Sequence, residues 1–165
     1  MKIHIIGCSG SGKTYLAKAL AKKQRIPHFD LDDLFWDNSA ETYGVKMPVE
    51  KRDRMVQDIM QKPDWIVEGV YYGWVGQCFA DADMIYILDI PRRVVRYRIL
   101  RRFFRRKLGL EPGKKETLKS LQGLLRWVDT FQEKNMKEIR QILRPHEEKV
   151  RILRTKKEVR EIIEG

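Results

Sequence analysis

The residues best equipped for chemistry stand near the start of the chain. Gly7, Cys8, Ser9, Gly10, Ser11, Gly12, Lys13 and Thr14 fit the spacing G-x-x-x-x-G-K-[ST]. Glycines in such a loop reach backbone angles closed to other residues and let main-chain N–H groups approach an anion. A lysine at position 13 can reach β- and γ-phosphates, and the hydroxyl of Thr14 can ligate Mg²⁺. The motif needs a strand before it and a helix after it. Met1–Ile6 is a short apolar run, and Tyr15–Ala21 opens a helical pattern whose partially positive N-terminus points at the same spot. An ordinary glycine-rich turn has no need of that order.

The remaining elements must bring charged groups to this loop. Arg25–Asp30 reads as a second strand ending in acid, followed by Asp32 and Asp33. Asn38–Met47 reads as a mobile polar loop. Pro48–Gln61 reads as a helix, with proline suited to its first turn and Val49, Met55, Val56, Ile59 and Met60 on its apolar side. Trp65–Val67 is a third strand closing in Glu68-Gly69. Tyr71, Tyr72, Gly73 and Trp74 form an aromatic loop. Met84–Leu88 is a continuous apolar run, suited to a strand covered on both faces. It ends at Asp89. Pro91 begins a basic helix with Val95, Ile99 and Phe103 as its apolar stripe. Gly109–Gly113 breaks the pattern. A long helix from about Glu116 to Leu143 is stopped by Pro145, Val150–Leu153 is the last strand, and Lys157–Glu164 is the closing helix.

Five strands alternating with helices predict an α/β fold with a parallel sheet. Ligands of such sheets bind beyond the carboxyl ends of the strands. That rule gathers the loop, Asp30 and Asp32, Glu68, and Asp89 with the arginines after it.

Composition narrows the class. The chain has 165 residues, enough for one domain with a real core. Hydrophobic residues make up 42% and charged residues 35%, a globular profile with a charge-rich surface. No apolar run approaches the roughly 18 residues of a membrane span, and the first strand runs straight into the loop motif, unlike a secretory leader. Two cysteines without metal-ligand spacing, Cys8 and Cys78, suit a reducing, cytoplasmic setting. The net charge of +11 is concentrated: Arg92–Lys107 holds nine basic residues and no acidic one. Such a block meets polyanionic phosphates, nucleic acid or a membrane surface, or else is a solvated helix face.

Five segments together resemble the small P-loop kinases of the adenylate-kinase and shikimate-kinase type, with the nearest pattern in the adenylate-kinase-related DNA topology modulation (FlaR-like) proteins. They are GCSGSGKT at 7–14, FDLDDLFW at 29–36, WIVEG at 65–69, YILDIPRRVVRYRILRR at 86–102 and LRTKKEVREII at 153–163. The resemblance implies a three-layer P-loop fold with a five-stranded parallel sheet and a short helical lid near 103–115, with Gly109 and Gly113 as hinges. It implies ATP and Mg²⁺ as cofactors. It gives Asp30 and Glu68 to the metal shell with Thr14, and Asp32 to the acceptor hydroxyl. Arg98 and Arg102 become lid arginines, four residues apart and so one turn apart on one helix face. Arg154 falls where related kinases line the adenine pocket, and Arg126 is a further phosphate candidate. Asp also favours helix N-caps, and Asp33 is read as cap or solvent-exposed. Trp36, Tyr71, Tyr72 and Trp74 lie near the acceptor end, as a ring-stacking surface or as cover for the sheet edge. Where nucleoside monophosphate kinases carry an arginine for the acceptor phosphate, this chain has Val70-Tyr71-Tyr72-Gly73.

The expected activity is therefore transfer of the γ-phosphoryl group of Mg-ATP to a small-molecule or nucleotide acceptor. The alternative is an ATP-binding, nucleic-acid-associated regulator that uses the Arg92–Lys107 helix.

Overall fold

The computed structural model describes residues 1–42, 44–111 and 117–165. The chain runs β1 (Lys2–Gly7), α1 (Lys13–Gln24), β2 (His28–Asp30), α2 (Leu31–Phe35), α3 (Val49–Met60), β3 (Trp65–Gly69), α4 (Gly76–Asp81), β4 (Met84–Leu88), α5 (Arg92–Lys107), α6 (Leu118–Thr130), α7 (Met136–Ile142), β5 (Val150–Leu153) and α8 (Lys156–Glu164). The strands form one parallel sheet in the order β2-β3-β1-β4-β5. The fold is thus the expected α/β arrangement. Ile3, His4, Ile5 and Ile6 of β1 are all buried, as is every residue of β3, so both sheet faces are covered there. Among the described residues no helix is long and apolar enough to cross a membrane.

Several boundaries depart from the sequence reading, each for a local reason. The second strand starts at His28 and not at Arg25, because Arg25 takes a left-handed φ of 57° and caps α1, its N–H bonding to the carbonyl of Ala21. The loop after α2 is closed into a hairpin-like turn: Trp36 bridges Lys46, and the N–H of Asp37 donates to the carbonyl of Val45 at 2.8 Å. Helix α4 was not anticipated; its six residues are too short for a periodic pattern, and only Cys78 and Phe79 point inward. The long late helix is α6 and α7 joined by a π-helical turn at Phe131–Asn135, which seats Phe131 in the core. It then tightens into a 3₁₀ segment at Arg144–Lys149.

The basic helix is regular from Arg92 through Lys107, so the first residues of the expected lid belong to its last turns. Its stripe of Val95, Ile99 and Phe103 is buried as read. Gly109 follows at φ 70°. The hinge assigned to Gly113, with the rest of the lid to Lys115, lies outside the described residues.

Candidate active site

The loop between β1 and α1 is shaped by its backbone angles. Gly10 has φ 79° and Gly12 has φ 105°, angles that side chains with a Cβ rarely adopt. The Lys13 side chain is buried, and its ammonium donates to the carbonyl of Cys8 at 3.1 Å. Cys8 is fully buried, and burial pushes its thiol up to about 11, so it stays protonated and is filler rather than nucleophile. Arg98 reaches across from α5 and donates to the carbonyl of Ser11 at 2.8 Å. Arg98, expected as a lid arginine, is thereby fastened to the loop itself.

The carboxylates follow from sheet register. Asp30 and Glu68 are paired neighbours at the ends of β2 and β3. Asp30 also caps α2, accepting from the N–H of Asp32 at 2.9 Å. The capping and functional readings of this residue are therefore compatible. Burial raises the Asp30 carboxyl to about 6, with the charges of Glu68, Asp32 and Asp33 adding to it against the Asp32 amide. Burial also acts to raise Glu68, but His28, the Thr14 hydroxyl and the Lys13 charge hold it below the usual carboxylate range. Glu68 Oε1 is buried without a hydrogen bond, and His28 Nε2 stands 3.6 Å from it, too far for one. Two register-paired acids beside a threonine hydroxyl, with Glu68 Oε1 buried and taking no hydrogen bond, fit a divalent cation. Mg²⁺ suits such a place, since it keeps most of its waters and leans on phosphate oxygens and few carboxylates.

Asp32 lies one residue into α2 and is exposed. Its Oδ1 accepts from the Tyr71 hydroxyl at 2.7 Å. The Tyr71 ring stacks on Phe35 at 4.7 Å and tilts against Trp74 at 5.2 Å, with the Arg52 guanidinium 4.5 Å over Trp74. Burial and the Asp32 bond push the Tyr71 phenol up, so it remains a donor. Tyr72 departs from the expected acceptor-end group: it turns away, donating to Glu138 at 2.8 Å and accepting from Asn135 at 2.9 Å.

Ser9 through Thr14, Asp30, Asp32, Glu68, Arg98 and Arg102 line one cleft of about 690 Å³. Gly7 and Cys8 are buried and do not line it. Arg154 does not line it; its guanidinium lies 3.6 Å from Asp89, which also binds Arg140. Arg126 does not line it either. The cleft has walls that the sequence reading missed: Val94, Tyr97 and Arg101 from α5, and Lys156 and Val159 from α8. Two signals pointed to them. Val94, Tyr97 and Arg101 succeed one another at intervals of three and four residues, on one helix face. Thr155 and Glu158 form a capping box, which starts α8 at Lys156.

The basic block is largely engaged with the protein. Arg92 binds Glu133 at 2.6 Å, Arg96 binds Asp129 at 2.7 Å, Arg98 holds the loop, and Arg105 meets Glu111 at 3.3 Å. It is a packing and cleft-facing helix rather than one uninterrupted strip for a polyanion.

The fold is similar to that of solved small kinases. A shikimate kinase from Bacteroides thetaiotaomicron superposes with a TM-score of 0.51 over 99% of this chain and 94% of that one, at 17% identity. No family model matches the chain. An uncharacterized protein, YqaC, from Bacillus subtilis (strain 168) is 30% identical over 105 residues, covering 63% of this chain and 57% of that protein. An adenylate kinase from Clostridium kluyveri is 28% identical over 120 residues, covering 58% of this chain and 55% of that enzyme. The chain therefore spans little more than half the length of the curated relatives it matches.

Proposed function

We propose that residues 1–165 form a single kinase-like domain that transfers the γ-phosphoryl group of ATP to a hydroxyl of a small-molecule or nucleotide acceptor. The observation that supports this best is the gathering of a phosphate loop, two metal-suited acids, an acceptor-side carboxylate and two arginines around one cleft. In this reading the amides of residues 7–14 cradle the phosphates and Lys13 swings from the Cys8 carbonyl to the β- and γ-phosphates. Thr14, Asp30 and Glu68 would hold Mg²⁺, which supplies charge neutralisation at the phosphate oxygens. Asp32 orients the acceptor and takes its hydroxyl proton as the new P–O bond forms and the bond to the β-phosphate oxygen breaks. Arg98 and Arg102 stabilise the charge on the transferring group. Arg154 acts only through its backbone beside the adenine. The resemblance to the FlaR-like branch and the cytoplasmic setting belong to the same proposal, the latter supported by two buried free thiols.

Calorimetry of Mg-ATP against wild type and Lys13→Ala tests the cradle, together with a screen of ATP consumption over nucleoside monophosphates, nucleosides, sugars and small acids. Wild type should bind ATP, and Lys13→Ala should abolish turnover of whichever acceptor the screen finds. Failure of wild type to bind ATP or GTP at millimolar concentrations, or full turnover by Lys13→Ala, would refute the reading.

A further inference from the structure

Helix α5 faces a second recess beside the cleft. It has a volume of about 380 Å³ and is lined by Arg98, Arg101, Arg102, Arg105 and Glu111. The first three of these arginines also line the nucleotide cleft, so the two spaces share a wall. Arg101 and Arg105 are four residues apart, which stacks them on one face beside the Arg98 and Arg102 pair. Among the described residues its lining carries four guanidiniums and one carboxylate, and it adjoins the cleft through Arg98, Arg101 and Arg102. The acids that neutralise Arg92 and Arg96 lie toward the other end of the helix, at Asp129 and Glu133. The 3.3 Å contact of Arg105 with Glu111 is between half-exposed groups, a weak pairing that an anion can replace. Meanwhile the segment after β3, Val70-Tyr71-Tyr72-Gly73, offers no cation to an acceptor.

We propose that Arg101 and Arg105 form a second anion subsite, which holds a phosphate group of the acceptor while the loop holds the nucleotide. This rests on the phosphotransferase reading and adds to it the class of acceptor: a phosphorylated alcohol rather than a neutral one. Guanidinium forks match the tetrahedral oxygens of phosphate bidentately, and several of them suit a dianion better than a carboxylate.

The test titrates inorganic phosphate into protein saturated with a non-hydrolysable ATP analogue and Mg²⁺, followed by calorimetry. Phosphate should bind without displacing the analogue. Arg105→Gln, which lies outside the nucleotide cleft, should weaken phosphate at least about tenfold, the loss of one charge-assisted contact, and leave analogue affinity at the wild-type level. Arg93→Gln removes the same charge from the same helix outside the recess and should change phosphate affinity little. Equal weakening by the two variants, competition between phosphate and analogue, or tighter binding of acetate than of phosphate would each overturn the proposal. If the analogue binds and phosphate does not, this subsite alone falls. If the analogue fails to bind wild type, the phosphotransferase reading falls and the subsite with it.

Discussion

His4 sets up a pH dependence that can be worked through. It lies in the middle of β1, three residues before the phosphate loop, flanked in register by Val67 and Ile85. Its ring is fully buried, edge-on to Phe79 at 4.6 Å, and neither nitrogen has a hydrogen-bond partner among the described residues. Burial lowers its pKa from 6.5 to about 3, with the Glu68 charge opposing only in part. The native state therefore keeps the imidazole neutral while the unfolded chain takes up a proton below about pH 6.5. Stability from this group is fully present above that pH and is lost as pH falls toward 3. Each pH unit below 6.5 costs up to about 1.4 kcal/mol, so the drop from pH 7 to pH 5 costs about 2 kcal/mol. That is a large share of the roughly 5–15 kcal/mol that holds a domain together. His4→Leu replaces the ring with an apolar side chain of similar volume and removes the titration. Urea unfolding of both proteins at pH 7 and pH 5 isolates the effect, because His28, His146 and the carboxylates are common to both. The wild type should lose about 2 kcal/mol more than the variant over that range. Parallel pH dependences, or an NMR titration of His4 near 6.5 in the folded protein, would refute the argument.

Two further outcomes follow from contacts around the acids. In Gly69→Ala the new Cβ would lie 2.8 Å from Leu31 Cβ, which sits between Asp30 and Asp32 and has no flexible end to yield. The variant should lose about 1–3 kcal/mol of stability by overpacking and bind Mg-ATP less tightly, as denaturant midpoints and calorimetry would register; wild-type values for both would mean the strand end is looser than the structure has it. Tyr71→Phe keeps the stack on Phe35 and Trp74 and deletes only the hydroxyl that Asp32 accepts. It should cost about 1 kcal/mol in urea unfolding and leave Mg-ATP affinity unchanged, while a loss of ATP binding would place Tyr71 in the nucleotide site instead.

The parts of the site legible in the sequence are those governed by local rules. The loop motif specifies its own backbone, and a strand–loop–helix order is enough to recognise it. Asp30, Asp32 and Glu68 line the cleft because a parallel sheet brings every strand's carboxyl end to one edge, whereas Asp89, gathered by the same rule, pairs with Arg140 and Arg154 instead. What that rule cannot supply is which ends are neighbours. Asp30 meets Glu68 only because β3 lies between β2 and β1, and that order is fixed by the crossovers and not by any pattern within a strand. The same gap separates the two consecutive tyrosines. Tyr71 and Tyr72 looked alike in sequence, yet one reaches Asp32 on α2 and the other reaches Asn135 at the end of the π-helical turn and Glu138 on α7.

Through these two consecutive residues the loop after β3 is tied to Asp32 on one side and to the π-helical turn and α7 on the other. Val70-Tyr71-Tyr72-Gly73 itself brings no cation to the cleft. The proposed acceptor subsite draws its charge from another element, α5, whose Arg98, Arg101 and Arg102 line both the cleft and the recess beside it.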